Sequence, residues 1–202
     1  MKRSSLAAAF FAFLFGAAYA PAQPKPAPVP DTYSFTAVSS LVGPEMTIQV
    51  NRNGSKELVE RTAFPRPGVA KPFHDRVLYD FQAHRLFTLD LNSNICSTQE
   101  YETAYAPEMI DPIGGIPAMS GNIPDNPPGG WKHEAVNGIA AKVAEMAAEG
   151  AKSKVWLDEK YGFLAKMAMA EGSAPLQTHF EMRKVAFAAS RRLASGGGAY
   201  RD

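Results

Sequence analysis

Lys154 to Met169, KVWLDEKYGFLAKMAM, reads as one β-hairpin with its turn chemistry written into it. A type I turn over Glu159–Gly162 would put Gly162 in the left-handed position that closes a three-residue loop, because glycine enters φ > 0 without steric cost. Lys160–Gly162 is then the loop, with Leu157 opposite Ala165 and Val155 opposite Met167. The period of two gathers Val155, Leu157, Phe163, Met167 and Met169 on one face. The other face carries Lys154, Asp158 and Lys166, with Trp156 and Leu164 between them. One dry face and one half-wet face are the mark of an antiparallel sheet solvated on one side.

Alternation of the same kind continues outward in both directions. Tyr33–Ser39 alternates and predicts a strand, and Met46–Asn51 leads into Asn53-Gly54, a strong hairpin signal that predicts a type I′ turn and a return strand over Lys56–Thr62. Arg76–Leu91, RVLYDFQAHRLFTLDL, is a second marked hairpin turning near Gln82–Arg85; Val77, Tyr79 and Phe81 share a face that Phe87, Leu89 and Leu91 can join. Ile95–Tyr101 extends the sheet as an edge strand. Over Trp131–Met146, helix-forming composition at Ala140–Ala148 competes with a turn at Asn137-Gly138. The turn is preferred, because Gly138 would weaken a helix interior by roughly 1 kcal/mol and so short a helix gains little alone. A strand over Thr178–Phe187 closes the series, with one helical turn expected over Ala188–Leu193.

About ten short strands with regular turn signals predict a mainly β (α+β) fold: a curved antiparallel sheet forming an incomplete barrel with few short helices. The chain has 202 residues, 46% hydrophobic and 20% charged, enough for one core. Basic Lys2 and Arg3, the apolar run Leu6–Ala18 and small residues up to Ala22 have the build of a signal peptide over 1–22. A proline-rich linker over 23–32 follows, then a single domain over 33–193 and a Gly-rich tail over 194–202 expected to be disordered. The product is expected to be periplasmic or secreted, without stable membrane insertion once the signal is removed. Within the domain, Pro107–Gly130 is proline- and glycine-rich without period, and loops of that length are usually functional or disordered.

Removing Lys2 and Arg3 takes the 21 basic side chains to 19, against 20 acidic ones, so nucleic acid is not an expected partner. Cys96 is the only cysteine, so no intramolecular disulfide can form, and it is read as a small buried hydrophobe. His74-Asp75, His84 and His133-Glu134 lack the spacing of a zinc site, and no nucleophile elbow, phosphate loop or H-E-x-x-H occurs. No catalytic residue, metal or cofactor is therefore expected.

Two places carry a family likeness. LYDFQAHRLFTLDL, within Arg76–Leu91, resembles the Y-D hairpin of the periplasmic outer-membrane lipoprotein carrier and sorting family, the LolA- and LolB-like proteins. Val136-Asn137-Gly138-Ile139, followed by KVWLDEKYGFLAKM and the late HFEMRKV, is similar to the closing strands of that superfamily and of related exported domains. The resemblance implies an open barrel with an apolar cavity and a lipid or lipoprotein acyl chain as partner. Val155, Leu157, Met167, Met169, Tyr79, Phe87 and Leu89 are the expected lining, the thioethers adapting to irregular guests. The competing reading is an envelope structural or interaction protein with a filled core and an unidentified protein partner.

Overall fold

The computed structural model describes residues 27–41, 43–101, 110–114, 123, 126–148 and 150–188. The expected signal segment, the first four residues of the linker and the tail lie outside them. Eleven strands occur: β1 (Thr32–Ser39), β2 (Met46–Asn53), β3 (Lys56–Ala63), β4 (His74–Asp80), β5 (Arg85–Asp90), β6 (Ile95–Glu100), β7 (Lys132–Val136), β8 (Ile139–Ala148), β9 (Ala151–Asp158), β10 (Leu164–Glu171) and β11 (Gln177–Phe187). They form one sheet in the order β6-β5-β4-β3-β2-β1-β11-β10-β9-β8-β7. Every neighbouring pair is antiparallel. The sheet is not closed, since β6 and β7 are its two edges, and the chain between them must travel from one edge to the other.

No helix occurs among the described residues; the helical turn expected over 188–193 lies, Ala188 apart, outside them. Residues 139–148 are strand β8. Cys96, expected to be buried, is exposed, because it stands on edge strand β6. Asn137 and Gly138 take φ of 50° and 83°, the two left-handed positions of a type I′ turn, between the paired Val136 and Ile139. At the β2–β3 hairpin the turn differs from expectation. Asn53 pairs with Lys56, and Gly54 alone is left-handed at φ 60°, so Gly54 and Ser55 are the central residues, as in a type II′ turn.

The hairpin over β9 and β10 is right at a distance and wrong near its tip. Gly162 is left-handed at φ 76°, but the loop is one residue longer than expected, because the Asp158 amide donates to the Phe163 carbonyl at 2.8 Å. Leu157 therefore faces Leu164 instead of Ala165, which moves Leu164 off the charged face. A bulge between Leu164 and Lys166 absorbs the extra residue, and Val155 meets Met167 as expected. At β4–β5 no bulge intervenes. A four-residue turn with His84 at φ 52° pairs Tyr79 with Leu86 and Leu78 with Phe87, so Phe87 and Leu89 lie on the face opposite Tyr79.

From β1 to β4 one face is dry, along rows that register aligns across strands. Phe35, Val50, Val59 and Val77 form one row, and Ala37 beside Ile48 another, none more than 4% exposed. With no second layer among the described residues, such a face is buried by the sheet curling on itself and by the connection between its edges. One contiguous core runs from Tyr33 through to Met182, with Ile113 of that connection inside it. Burying each Val, Ile or Phe side chain is worth about 1.5–3 kcal/mol. β9 is buried on both sides, Val155, Trp156 and Leu157 alike. Asn137 Nδ2 donates to the Met182 carbonyl at 2.8 Å, although β8 and β11 are three strand spacings apart, about 14 Å in the plane of a sheet. The β7–β8 tip must therefore fold back toward β11.

Candidate functional site

The dry face is interrupted at one row. Register sets Tyr33, Arg52, Glu57 and Tyr79 side by side on β1 to β4, next to the apolar row of Phe35 and Val50. Period two sends Arg52 inward after Ile48 and Val50, and Glu57 inward before Val59, so two charged residues occupy positions the pattern reserves for apolar ones. Glu57 is fully buried. Arg52 Nη1 donates to Glu57 Oε2 at 3.2 Å and its Nε to the Gly54 carbonyl at 2.7 Å, while its guanidinium lies 4.0 Å from the Phe81 ring centre. Phe81 in turn stacks on Tyr79 at 5.9 Å.

Onto this row comes Ile110–Gly114, part of the Pro107–Gly130 segment. Asp111 is fully buried; the Tyr33 hydroxyl donates to its Oδ2 at 2.5 Å and the Ile113 amide to its Oδ1 at 2.9 Å. Pro112 stiffens the backbone between the two contacts. Gly114 is required by close approach: a Cβ there would stand 1.9 Å from the Tyr33 hydroxyl, 2.6 Å from Asp111 Oδ2 and 3.2 Å from Arg52 Nη1. The segment is thus seated by side chains rather than by strand pairing.

Glu57 Oε1 receives no N–H or O–H donor. Burial, then the hydrogen bond and charge of Asp111, push the Glu57 carboxyl up to about 9, against the opposing pull of Arg52. Both observations have one explanation: Glu57 holds a proton at neutral pH and offers it to Asp111. Burial, followed by the charges of Asp111 and Glu57, likewise holds the Tyr33 hydroxyl far above the usual phenol range, so it stays a donor. Tyr101, whose buried hydroxyl also lacks a partner, is raised by burial and then by Asp80. Tyr33 and Glu57 therefore both face the buried Asp111 carboxyl group as donors, and Arg52 stands behind them, bound to Glu57.

The residues expected from sequence to line a cavity divide between environments. Val155, Leu157, Met167 and Tyr79 belong to the core, Met169 packs against it half-buried, and Phe87 and Leu89 lie on the opposite face, Phe87 at 36% exposed. Neither Arg52, Glu57, Tyr33 nor Asp111 was singled out by sequence reasoning. The available signal was a charge at an inward position, once on each side of Asn53-Gly54.

The other face carries ion pairs of a different kind. Trp156 Nε1 donates to Glu134 Oε2 at 2.8 Å, with the Lys154 and Lys166 ammonium groups 4.8 and 5.3 Å from its ring centre. Lys154 pairs with Glu134 at 2.9 Å, and Lys166 with Glu181 at 3.1 Å. Trp156 is buried by these side chains. A groove of about 230 Å³ beside them includes His179, Glu181 and Arg183, and its cations Lys166 and Arg183 are both paired with Glu181. His74 sits on Glu60 at 2.9 Å, His133 on Glu159 at 2.7 Å, and His84 against the edge of Tyr101. His133 and Glu134 point to opposite faces of β7 and do not line a common cleft. Among the described residues no three His, Cys, Asp or Glu side chains converge to hold a metal.

No family model and no curated protein sequence matches the chain. Solved structures similar to it in part include two of related content. One is the crystal structure of MucB, 13% identical with a TM-score of 0.44 over 83% of this chain and 58% of that one. The other is the MucA/MucB complex of Pseudomonas aeruginosa, 16% identical with a TM-score of 0.42 over 82% of this chain and 56% of the matched one. The chain thus spans less than three fifths of the length of either structure it was laid over.

Proposed function

We propose that this chain is an exported, non-catalytic protein that takes a hydrophobic or lipidic guest against the dry face of its sheet. The observation that supports this reading is the seating of Ile110–Gly114: a loop segment, held by side chains, covers a face that no strand or helix among the described residues covers. Such a cover can be exchanged for a guest without breaking the sheet. Met46, Met167 and Met182 in that core are pliable and suit an irregular apolar guest. Export rests on the basic, apolar and small-residue zones of Met1–Ala22. Native mass spectrometry of protein released gently from the cell envelope tests the idea. Lipid-sized adducts that leave on denaturation are expected, and bare protein that also takes up no added amphiphile would overturn it.

A second reading, an envelope interaction protein, is favoured by one specific feature. All six residues of edge strand β6 are exposed, Ile95 at 66%, and none from Ile95 to Gln99 is charged. Such an edge accepts an added strand, whereas charge guards edges against pairing. A Thr98→Pro change would then abolish partner capture and leave lipid uptake intact.

A further inference from the structure

We infer that Ile110–Gly114 occupies a site for the carboxylate head of a long-chain anionic amphiphile, with the apolar rows beside it taking the tail. This rests on the proposed function and names the class of guest. The segment is itself built like such a molecule, with the Asp111 carboxyl group at one point and the buried Ile113 beside it. What receives Asp111 belongs to the sheet. The Tyr33 hydroxyl reaches it at 2.5 Å, Glu57 neighbours it with an oxygen that no other donor reaches, and the Arg52 guanidinium is held at the same spot by Glu57 and the Gly54 carbonyl.

These groups stand on three adjacent strands and do not depend on the loop for their placement. Remove the loop, and a hydroxyl, a carboxyl group and a guanidinium face the vacated position; a guest carboxylate in the place of Asp111 restores the neighbour that favours the protonated, donating form of Glu57. That set suits one carboxylate: every member can donate, and the single positive charge matches a single negative one. A neutral lipid would leave the same buried donors unpaired, which is how a polar site rejects a guest lacking its head group.

The tail would follow β2, replacing core contacts there. From Arg52 to Met46 along β2 the inward residues are Val50, Ile48 and Met46, all buried, a run of roughly 20 Å at about 3.3 Å per residue. The head lies one residue from the Asn53–Lys56 turn, at the end of the sheet, so a guest can enter tail first. Gly114 lets the segment itself seat this closely in the head site, since a Cβ there would collide with Tyr33.

The test is titration calorimetry with dodecanoate and methyl dodecanoate below their aggregation limits, on the purified chain and on Tyr33→Phe and Asp111→Asn. The acid is expected to bind at least about tenfold tighter than the ester, as charge-assisted hydrogen bonds to the head require. Tyr33→Phe should cut that ratio several-fold, and Asp111→Asn, whose internal competitor is weakened, should bind the acid more tightly than the parent. Equal affinity for acid and ester would overturn the head site and leave the hydrophobic-guest reading standing. No binding of either compound, by parent or Asp111→Asn, would overturn both. If Tyr33→Phe fails to fold, the acid-to-ester ratio of the parent chain decides alone.

Discussion

Two sets of polar groups on this sheet use the same chemistry in opposite surroundings. On the dry face, Arg52 and Glu57 have side chains 19% and 0% exposed and share one row with Tyr33. On the other, Lys132 and Glu145 pair at 59% and 53% exposed, in a ladder that continues through Lys154 and Glu134. Burial drives Glu57 up to about 9. Glu134, near water, is held below the usual range by its bonds to Lys154 and Trp156. The same residue type is thus a proton donor in one place and an ionised partner in the other. Removing charges from water costs more than pairing returns unless hydrogen bonds complete the shell, and Asp111 is what completes it.

If that contrast holds, breaking the buried set should dominate every other change. Asp111→Ala leaves the Tyr33 hydroxyl buried without its partner and Glu57 with Arg52 alone, and should cost about 3 kcal/mol in urea unfolding. Gly114→Ala forces a methyl group into the Tyr33 hydroxyl and Asp111, and should cost roughly 1–3 kcal/mol by overpacking, although the residue lies in a loop.

The pH profile sharpens the comparison. Glu57 has a folded value near 9 against 4.5 for the free side chain, so its contribution is fully present below 4.5 and is lost as pH rises through 9. Glu134 works in reverse, contributing above the ordinary glutamate value and losing that contribution as pH falls through its lowered one. Melting temperatures of the parent chain should therefore fall between pH 5.5 and 9, and Glu57→Gln should flatten that slope. A parent profile rising over the same interval would contradict a protonated Glu57. At the small end, Lys132→Ala on the outer ladder should change stability by less than about 0.5 kcal/mol, and less still in high salt.

How much of this was legible depends on how far each feature reaches along the chain. Local alternation and left-handed glycines are properties of neighbouring residues, and the hairpin at Asn137-Gly138, the turn at Gly162 and the strand over 139–148 could be read from them. Registers were read less well. One extra loop residue before Phe163 displaced Leu164, and the bulge that restores Val155 to Met167 has no separate sequence mark. At β4–β5 the turn length set Phe87 and Leu89 on the far face, and no bulge brought them back. The inward charges Arg52 and Glu57 were visible as breaks in the pattern, but nothing nearby explained them.

The sequence by itself determined that this chain is a run of short antiparallel strands with one dry side, because side-chain alternation and turn geometry act within a few residues. Only the tertiary structure decided that Asp111, from a proline-rich stretch without period, is the partner of Tyr33 and the neighbour of Glu57. A buried carboxyl group finds its donors through the curvature of the whole sheet, and that curvature is set by ten registers at once rather than by any segment alone.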